Sequence, residues 1–402
     1  MKSILNIVIN TKKTHLDFAA TTPVAKEVQK AIEPFWSRYF FNPSSSYKAG
    51  QDIKKVIKKS RSNIAVYFGV KESEVIFTQG GTESINIALI GLIKNIQKNF
   101  EFKPHVLVSS IEHPAVSECV EYIKSLNVDV EYIPVFENGS IDVQAFEKML
   151  KPETVLISVI GASNETGVIQ AIHKVSSIVK KYKNSLGRIQ TQYPFVHSDV
   201  SQMTLTQNVS IPKLGADMLT VDGSKIYAPK MTGLLIKKSY VELEPIIFGG
   251  GQESGFRPGT ESLATSVGID TALTLIQKRI KKDVKHFEML KGFFITQLNK
   301  SAIPFEINGS GEILPNIFNI CIKGLNSDFA VIQMDEYGVQ CAAMTSCAGS
   351  KGVLESDILR AMGKTGCAGS SLRFSFGRST TKKDIVKAVK VLRRVCGLQR
   401  VI

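Results

Sequence analysis

Five short stretches of this chain place chemistry-bearing side chains directly after an apolar run. One of them, VDGSKIYAPKMTG (Val221 to Gly233), holds Lys225 after Met218, Leu219, Thr220 and Val221. A lysine at the end of a buried strand has the setting in which an amine forms an imine with a carbonyl compound. Standing alone, it reads as an ordinary surface lysine. Its company changes that reading. QGGTES follows EVIFT and opens a helical run, so Gly80, Gly81, Thr82 and Ser84 gather free N–H groups, a helix dipole and hydroxyls into a phosphate site. SSIEHPAVSE puts His113 between a strand end and Pro114, ASNETG puts Asn164 after VLISVI, and HSDVSQ puts Asp199 and Gln202 after FVH. Singly, the Gly-Gly pair is a turn, Thr82 to Ser84 a cap, and His113 a capping or half-buried histidine. Jointly they supply an imine-forming lysine, a carboxylate that keeps a pyridine nitrogen protonated, a flat side chain to lie over a ring, and an anion cradle. That is the set of groups that holds pyridoxal 5'-phosphate.

The elements that must position these loops alternate in type. Strands are expected over 74–77, 105–109, 129–134, 154–160, 195–198, 218–221 and 233–237. Helices are expected over about 24–38, 48–67, 83–98, 114–126, 143–150, 170–183 and 210–214. Alternation of this kind predicts an α/β fold with a mostly parallel sheet, whose ligands lie at the strand carboxyl ends. Composition shifts after the glycine-rich FGGGQESGFRPGT (248–260). A long helix from about 261 to 300 then leads into a smaller α+β unit. The expected division is a large domain over 15–261 and a small domain over 262–402, joined by 1–14.

The bulk composition narrows the setting. At 402 residues the chain is long for one core. No apolar run is long enough to span a membrane, and the start reads as a short strand, not a signal peptide, so the expected compartment is the cytoplasm. The six cysteines (119, 321, 341, 347, 367 and 396) show neither CxxC nor zinc-finger spacing, and reduced thiols are expected, with no metal site. The net charge of +14 favours acidic partners, but the lysines fall in helical surface patterns such as KKVIKKSR, so a solvated basic face is expected and direct nucleic-acid binding is not.

Taken in order, the motifs resemble those of the cysteine desulfurases of the NifS/IscS branch, in the class V pyridoxal-phosphate aminotransferase superfamily. LDFAATTP (16–23), FNPSSSYKAG (41–50), FTQGGTESINIAL (77–89), IEHPAV (111–116), SNETG (163–167), HSDVSQ (197–202), GGGQESGFRPGTES (249–262) and SLRFSFGRSTTKKDI (371–385) carry the resemblance, which covers nearly the whole chain. It implies a fold-type-I transferase: a large domain with a mostly parallel seven-stranded sheet and a smaller α+β domain bearing the catalytic cysteine loop. It implies that Lys225 forms the imine and moves protons, that Asp199 partners the pyridine nitrogen, and that Gln202 lies near the phenolic oxygen. It further implies that His113 stacks on the ring, that Gly81, Thr82 and Ser224 serve the phosphate, and that Thr260 reaches the phosphate of a second subunit in a homodimer. Asn164 and Arg373 would hold the substrate carboxylate, a task suited to the arginine fork. Cys347, in CAAMTSCAGSKGVLESDILRAMG, would attack the sulfur of L-cysteine as a thiolate and pass the resulting persulfide to an acceptor protein of iron–sulfur cluster assembly or of tRNA or cofactor thiolation.

The chain departs from the family pattern at several points. Asp222, Gly223 and Ser224 precede the lysine where relatives carry S-x-H, and a carboxylate facing a phosphate would be repelled, so Asp222 either turns away or weakens cofactor binding. CAAMTSC stands for SSGSAC, and Ser254 and Phe248 stand where arginine and histidine are common. The competing readings are a selenocysteine lyase, another class V enzyme such as an aminotransferase, and a non-catalytic scaffold. Cys347 speaks against the aminotransferase, and Asp222 is the one feature that supports the scaffold.

Overall fold

The computed structural model describes residues 13–189, 192–343 and 355–397. In chain order its strands are β1 (Thr14–His15), β2 (Val75–Thr78), β3 (His105–Ser109), β4 (Asp129–Ile133), β5 (Thr154–Ser158), β6 (Phe195–Asp199), β7 (Met218–Asp222) and β8 (Gly233–Lys237). They continue as β9 (Glu306–Ile307), β10 (Ile317–Cys321), β11 (Val339–Gln340), β12 (Ala342–Ala343) and β13 (Ser371–Ser375).

Seven of them form the large sheet, in the order β2-β8-β7-β6-β5-β3-β4. Only β8 runs against the others, pairing antiparallel with both β2 and β7. The runs HVLVS, TVLIS and FVHSD are buried throughout, as strands covered by helices on both faces must be. Some of their polar side chains are paired across the sheet: His197 bridges Ser158 Oγ (2.9 Å) and Thr220 Oγ1 (3.0 Å). The carboxyl ends of β2, β3, β5, β6 and β7 therefore share one edge. The chain crosses from one side of the sheet to the other between β3 and β5, which opens a crevice at that edge.

A four-stranded sheet, β12-β13-β10-β9, makes a second layer, and β1 pairs with β11 beside it. A 37-residue helix, Leu263–Asn299, about 55 Å long at 1.5 Å per residue, packs along the helices Lys26–Ile32, Lys48–Phe68 and Lys382–Val395. Phe294 on this helix meets Phe318, Phe374 and Phe376 edge-on, which seats the helix on the smaller sheet.

Two expectations are corrected. The helix expected over 24–38 is two helices, Lys26–Ile32 and Pro34–Ser37. Pro34 lacks an N–H and crowds the preceding turn, so it starts a new helix instead of continuing the old one. The cysteines are not all free thiols: Cys321 at the end of β10 is disulfide-bonded to Cys367, with Cα atoms 5.4 Å apart. The 46-residue separation hides that proximity from any reading of local spacing. Among the described residues, no helix is long and apolar enough to cross a membrane.

Candidate active site

Lys225 follows β7 through a single 3-10 turn, Gly223–Lys225. Gly223 is required there, because a Cβ would come within 2.8 Å of Thr232 O. The turn is gripped by the LDFAATTP segment. Thr22 donates to Ser224 O from both N (2.7 Å) and Oγ1 (2.9 Å), and Tyr227 N donates to Thr22 Oγ1 at 2.7 Å. The half-buried Lys225 then donates from Nζ to Ala20 O at 2.6 Å. The motif thus sets the direction of the lysine.

His113 is the N-cap of the helix Pro114–Ser125. Its Nδ1 accepts from Ala115 N at 3.1 Å. Burial holds its imidazole below the ordinary histidine range, against the pull of the Asp199 charge. A neutral ring whose Nδ1 is an acceptor carries its proton on Nε2. Asp199, at the end of β6, accepts at Oδ1 from Ser201 N (2.9 Å) and Ser201 Oγ (2.6 Å). Burial pushes its carboxyl above the ordinary range, while the Ser201 bonds pull it back. Gln202 donates to Ala19 O at 3.0 Å.

Arg373, on β13 of the smaller sheet, reaches across to the same edge. It donates from Nη2 to Asp17 Oδ1 (2.7 Å) and from Nη1 to Asn164 O (2.8 Å). Arg373 Nε and Asn164 Oδ1 are buried with no hydrogen-bond partner. Buried polar atoms in this condition call for a ligand or water to complete them.

These groups line two adjoining cavities. The inner one, about 70 Å³, is walled by Gly81, Thr82, His113, Asn164, Asp199, Gln202, Asp222 and Lys225. The outer one, about 510 Å³, shares His113, Asn164, Gln202 and Lys225 and adds Asp17, Ala343, Glu355 and Arg373. At the inner end lies the start of the helix Gly81–Asn99. Its N-cap Gly80 has φ +146°, a conformation left to glycine, and Gly233 must also be glycine because a Cβ would lie 2.6 Å from the Gly80 backbone. The Asp222 carboxylate points into this cradle, accepting from Ser224 N (2.7 Å) and Gly81 N (3.4 Å). Of the two possibilities open in the sequence, it does not turn away.

Two expected site residues, Ser224 and Thr260, line neither cavity, and Ser224 N is engaged by Asp222. Thr260 is exposed, and its neighbours Gly259 and Glu261 border a separate cavity with Gln79 and Arg257. Cys347 lies outside the described residues. Four groups were missed: Asp17, Ser201, Glu112 and Glu165. Glu112 Oε1 accepts from Ser109 Oγ and Ile160 N, both at 2.6 Å, and burial pushes its carboxyl up to about 8. Glu165 accepts from Ser356 Oγ at 2.5 Å and is pushed by burial up to about 7. Ser201, Glu112 and Glu165 each sit beside a residue that was singled out, so adjacency was the available signal, whereas Asp17 has only its place in the LDFAATTP motif.

The residues fit pyridoxal phosphate. Asp199 is a buried carboxylate to which a protonated ring nitrogen would bring the missing positive charge. His113 is a buried, neutral flat ring, Lys225 a primary amine, and Asn164 and Arg373, which line the outer cavity, each hold an orphaned buried atom. Only Asp222 is chemically opposed to the anionic end of that molecule.

Comparison with known proteins agrees with this chemistry. The family profile described as aminotransferase class-V matches residues 14–387. The chain is 32% identical over 393 residues to a protein named cysteine desulfurase IscS of Dictyoglomus turgidum, covering 97% of this chain and 96% of that one. It is 34% identical over 381 residues to cysteine desulfurase IscS 1 of Archaeoglobus fulgidus, covering 94% and 95%. Among solved structures, one titled NifS-like protein superposes with a TM-score of 0.87 at 27% identity, covering 96% of this chain and 100% of that chain. A NifS-like protein from Rickettsia africae superposes with a TM-score of 0.82 at 27% identity, covering 96% and 99%.

Proposed function

The chain belongs to the aminotransferase class-V family, and from that premise we propose that it is a pyridoxal-phosphate-dependent cysteine desulfurase whose persulfide forms on Cys347. One observation carries the reading. Lys225, Asp199, His113, Asn164 and Gln202, from four strand-end loops, wall one inner cavity, and the outer cavity joined to it is bordered by Arg373, Ala343 and Glu355. The segment holding Cys347 runs between those last two residues.

Bound pyridoxal phosphate supplies an electron sink for bond-breaking at the α-carbon of an amino acid. Lys225, Asp199, Gln202, His113, Gly81, Thr82 and Ser224 are the residues we assign to holding it. Asn164 and Arg373 take the carboxylate of L-cysteine, with the orphaned donor Arg373 Nε among the atoms it would complete. Lys225 Nζ takes the α-proton and returns it. Cys347, as thiolate, attacks the substrate sulfur: the new S–S bond forms, the Cβ–S bond breaks, and its electron pair goes to the carbon skeleton, which gains a proton and leaves as L-alanine. The persulfide then passes to an acceptor protein in iron–sulfur cluster assembly or in tRNA or cofactor thiolation, in the cytoplasm. We assign Thr260 to the phosphate site of a second copy in a homodimer, in keeping with its exposure and its place outside the cavity of its own chain. We further take 15–261 as the large domain and 262–402, with 1–14, as the small one.

The test is turnover of cysteine by wild type and Cys347→Ser, with alanine and persulfide both measured. Cys347→Ser should keep the yellow colour of bound cofactor and lose sulfur release. Undiminished turnover refutes the role of Cys347, and a colourless wild-type protein at saturating cofactor refutes the enzyme.

A further inference from the structure

Asp222 occupies donors that an anion would need. Its Oδ1 accepts from Ser224 N at 2.7 Å, and its Oδ2 faces Gly81 N at 3.4 Å, at the start of the helix Gly81–Asn99. The helix start and the following turn each offer N–H groups to a negative charge, and here the chain itself supplies one. The carboxylate is also held in place. Asp222 N donates to Ser201 Oγ at 3.0 Å, and that hydroxyl is the one bonded to Asp199. Swinging the side chain out would strip Ser224 N of its acceptor and open the 3-10 turn that leads to Lys225.

A phosphate entering this cradle meets a like charge within the same small cavity and finds two of its donors engaged. We infer that Asp222 is a specificity-determining residue that lowers the affinity of this chain for the phosphate of its cofactor, and so narrows its preference for pyridoxal phosphate over unphosphorylated pyridoxal. The inference rests on the pyridoxal-phosphate reading of the site. Its effect is confined to the phosphate: Lys225, Asp199 and His113 are the residues that would hold the ring and the aldehyde, which the two compounds share.

The experiment is equilibrium dialysis of the full chain, freed of cofactor, against pyridoxal phosphate and against pyridoxal. Wild type, Asp222→Ser and Asp222→Asn are compared, with circular dichroism to verify folding. The two variants should tighten pyridoxal phosphate binding at least tenfold and leave pyridoxal binding within about twofold. If Asp222→Ser fails to fold, the isosteric Asp222→Asn decides alone. Equal preference for the phosphorylated compound in wild type and variants overturns the inference while leaving the cofactor site intact. Failure of all three proteins to bind either compound overturns the cofactor site itself, and the inference with it.

Discussion

The guanidinium of Arg373 is tied to the carboxylate of Asp17, 2.7 Å apart, although the two residues stand 356 positions apart in the chain. Arg373 is side-chain-buried and Asp17 only partly exposed. The pair holds the fork in a fixed orientation toward the outer cavity, so that little is lost in ordering it when a carboxylate arrives. Asp17→Asn keeps the shape and removes the charge. It should lower kcat/KM for cysteine by about 10- to 100-fold, mainly through KM. Steady-state kinetics checks this, and an unchanged KM would detach Asp17 from substrate binding.

Lys225→Ala removes the amine that we assign to the cofactor and to proton transfer. The absorbance of bound cofactor near the visible edge should disappear and turnover should fall by about 10³-fold or more. A spectrum identical to wild type would show that another lysine serves.

Stability should fall as pH rises from about 5 to 8. Glu112 and Glu165 are pushed up by burial to about 8 and about 7, so the folded chain keeps protons that the unfolded chain releases near the ordinary glutamate value. Where the folded state binds more protons, raising pH favours unfolding, by about 1.4 kcal/mol per pH unit for each group within its window. Their contribution is complete below the ordinary value and lost as pH passes through 7 and 8. Urea titrations at pH 5, 6, 7 and 8 measure the slope. Glu112→Gln should flatten it, and a slope unaltered by that change would contradict the assignment.

Glu253 clamps the glycine-rich loop to the large sheet. It takes both arms of Arg61 (2.5 and 2.8 Å) and the amide of Phe77 (2.9 Å), from a backbone with φ +48°. Both partners are largely buried, and removing one strands the other. Glu253→Ala should cost about 3 kcal/mol or more in chemical denaturation. It should also disturb whatever Thr260 does, because the two share one loop. A loss under about 1 kcal/mol would mean that the clamp is solvated.

Much of the fold was legible because its strands are short apolar runs closed by Gly, Ser and Asn, and its helices follow at regular intervals. The β8 run GLLIK falls on the expected bounds, since Gly233 starts it and Lys237 ends it. Its direction was not legible: antiparallel pairing with β2 and β7 depends on partners, not on its own residues. The inner cavity was legible as well, because Asp199 ends a strand and Lys225, His113 and Asn164 each lie in a segment that follows one in the same sheet. What escaped were groups that matter through distant partners. Asp17 reads as an ordinary acid until Arg373 lies beside it, Glu165 until Ser356 does, and Cys321 until Cys367 does.

The segment from β1 to Thr22 has a consequence for how the protein is made. It pairs with Val339–Gln340, bonds Arg373 through Asp17, accepts Lys225 at Ala20 and holds Ser224 through Thr22. Its partners lie from the middle of the chain to almost the end. On the ribosome this stretch emerges 356 residues ahead of Arg373 and must wait for strand β13 before Asp17 meets its arginine. Contacts of such separation form late. The end of the cavity walled by Asp17 and Arg373 is therefore finished only once strand β13 has been made, so a nascent chain that stops short of Arg373 lacks that wall.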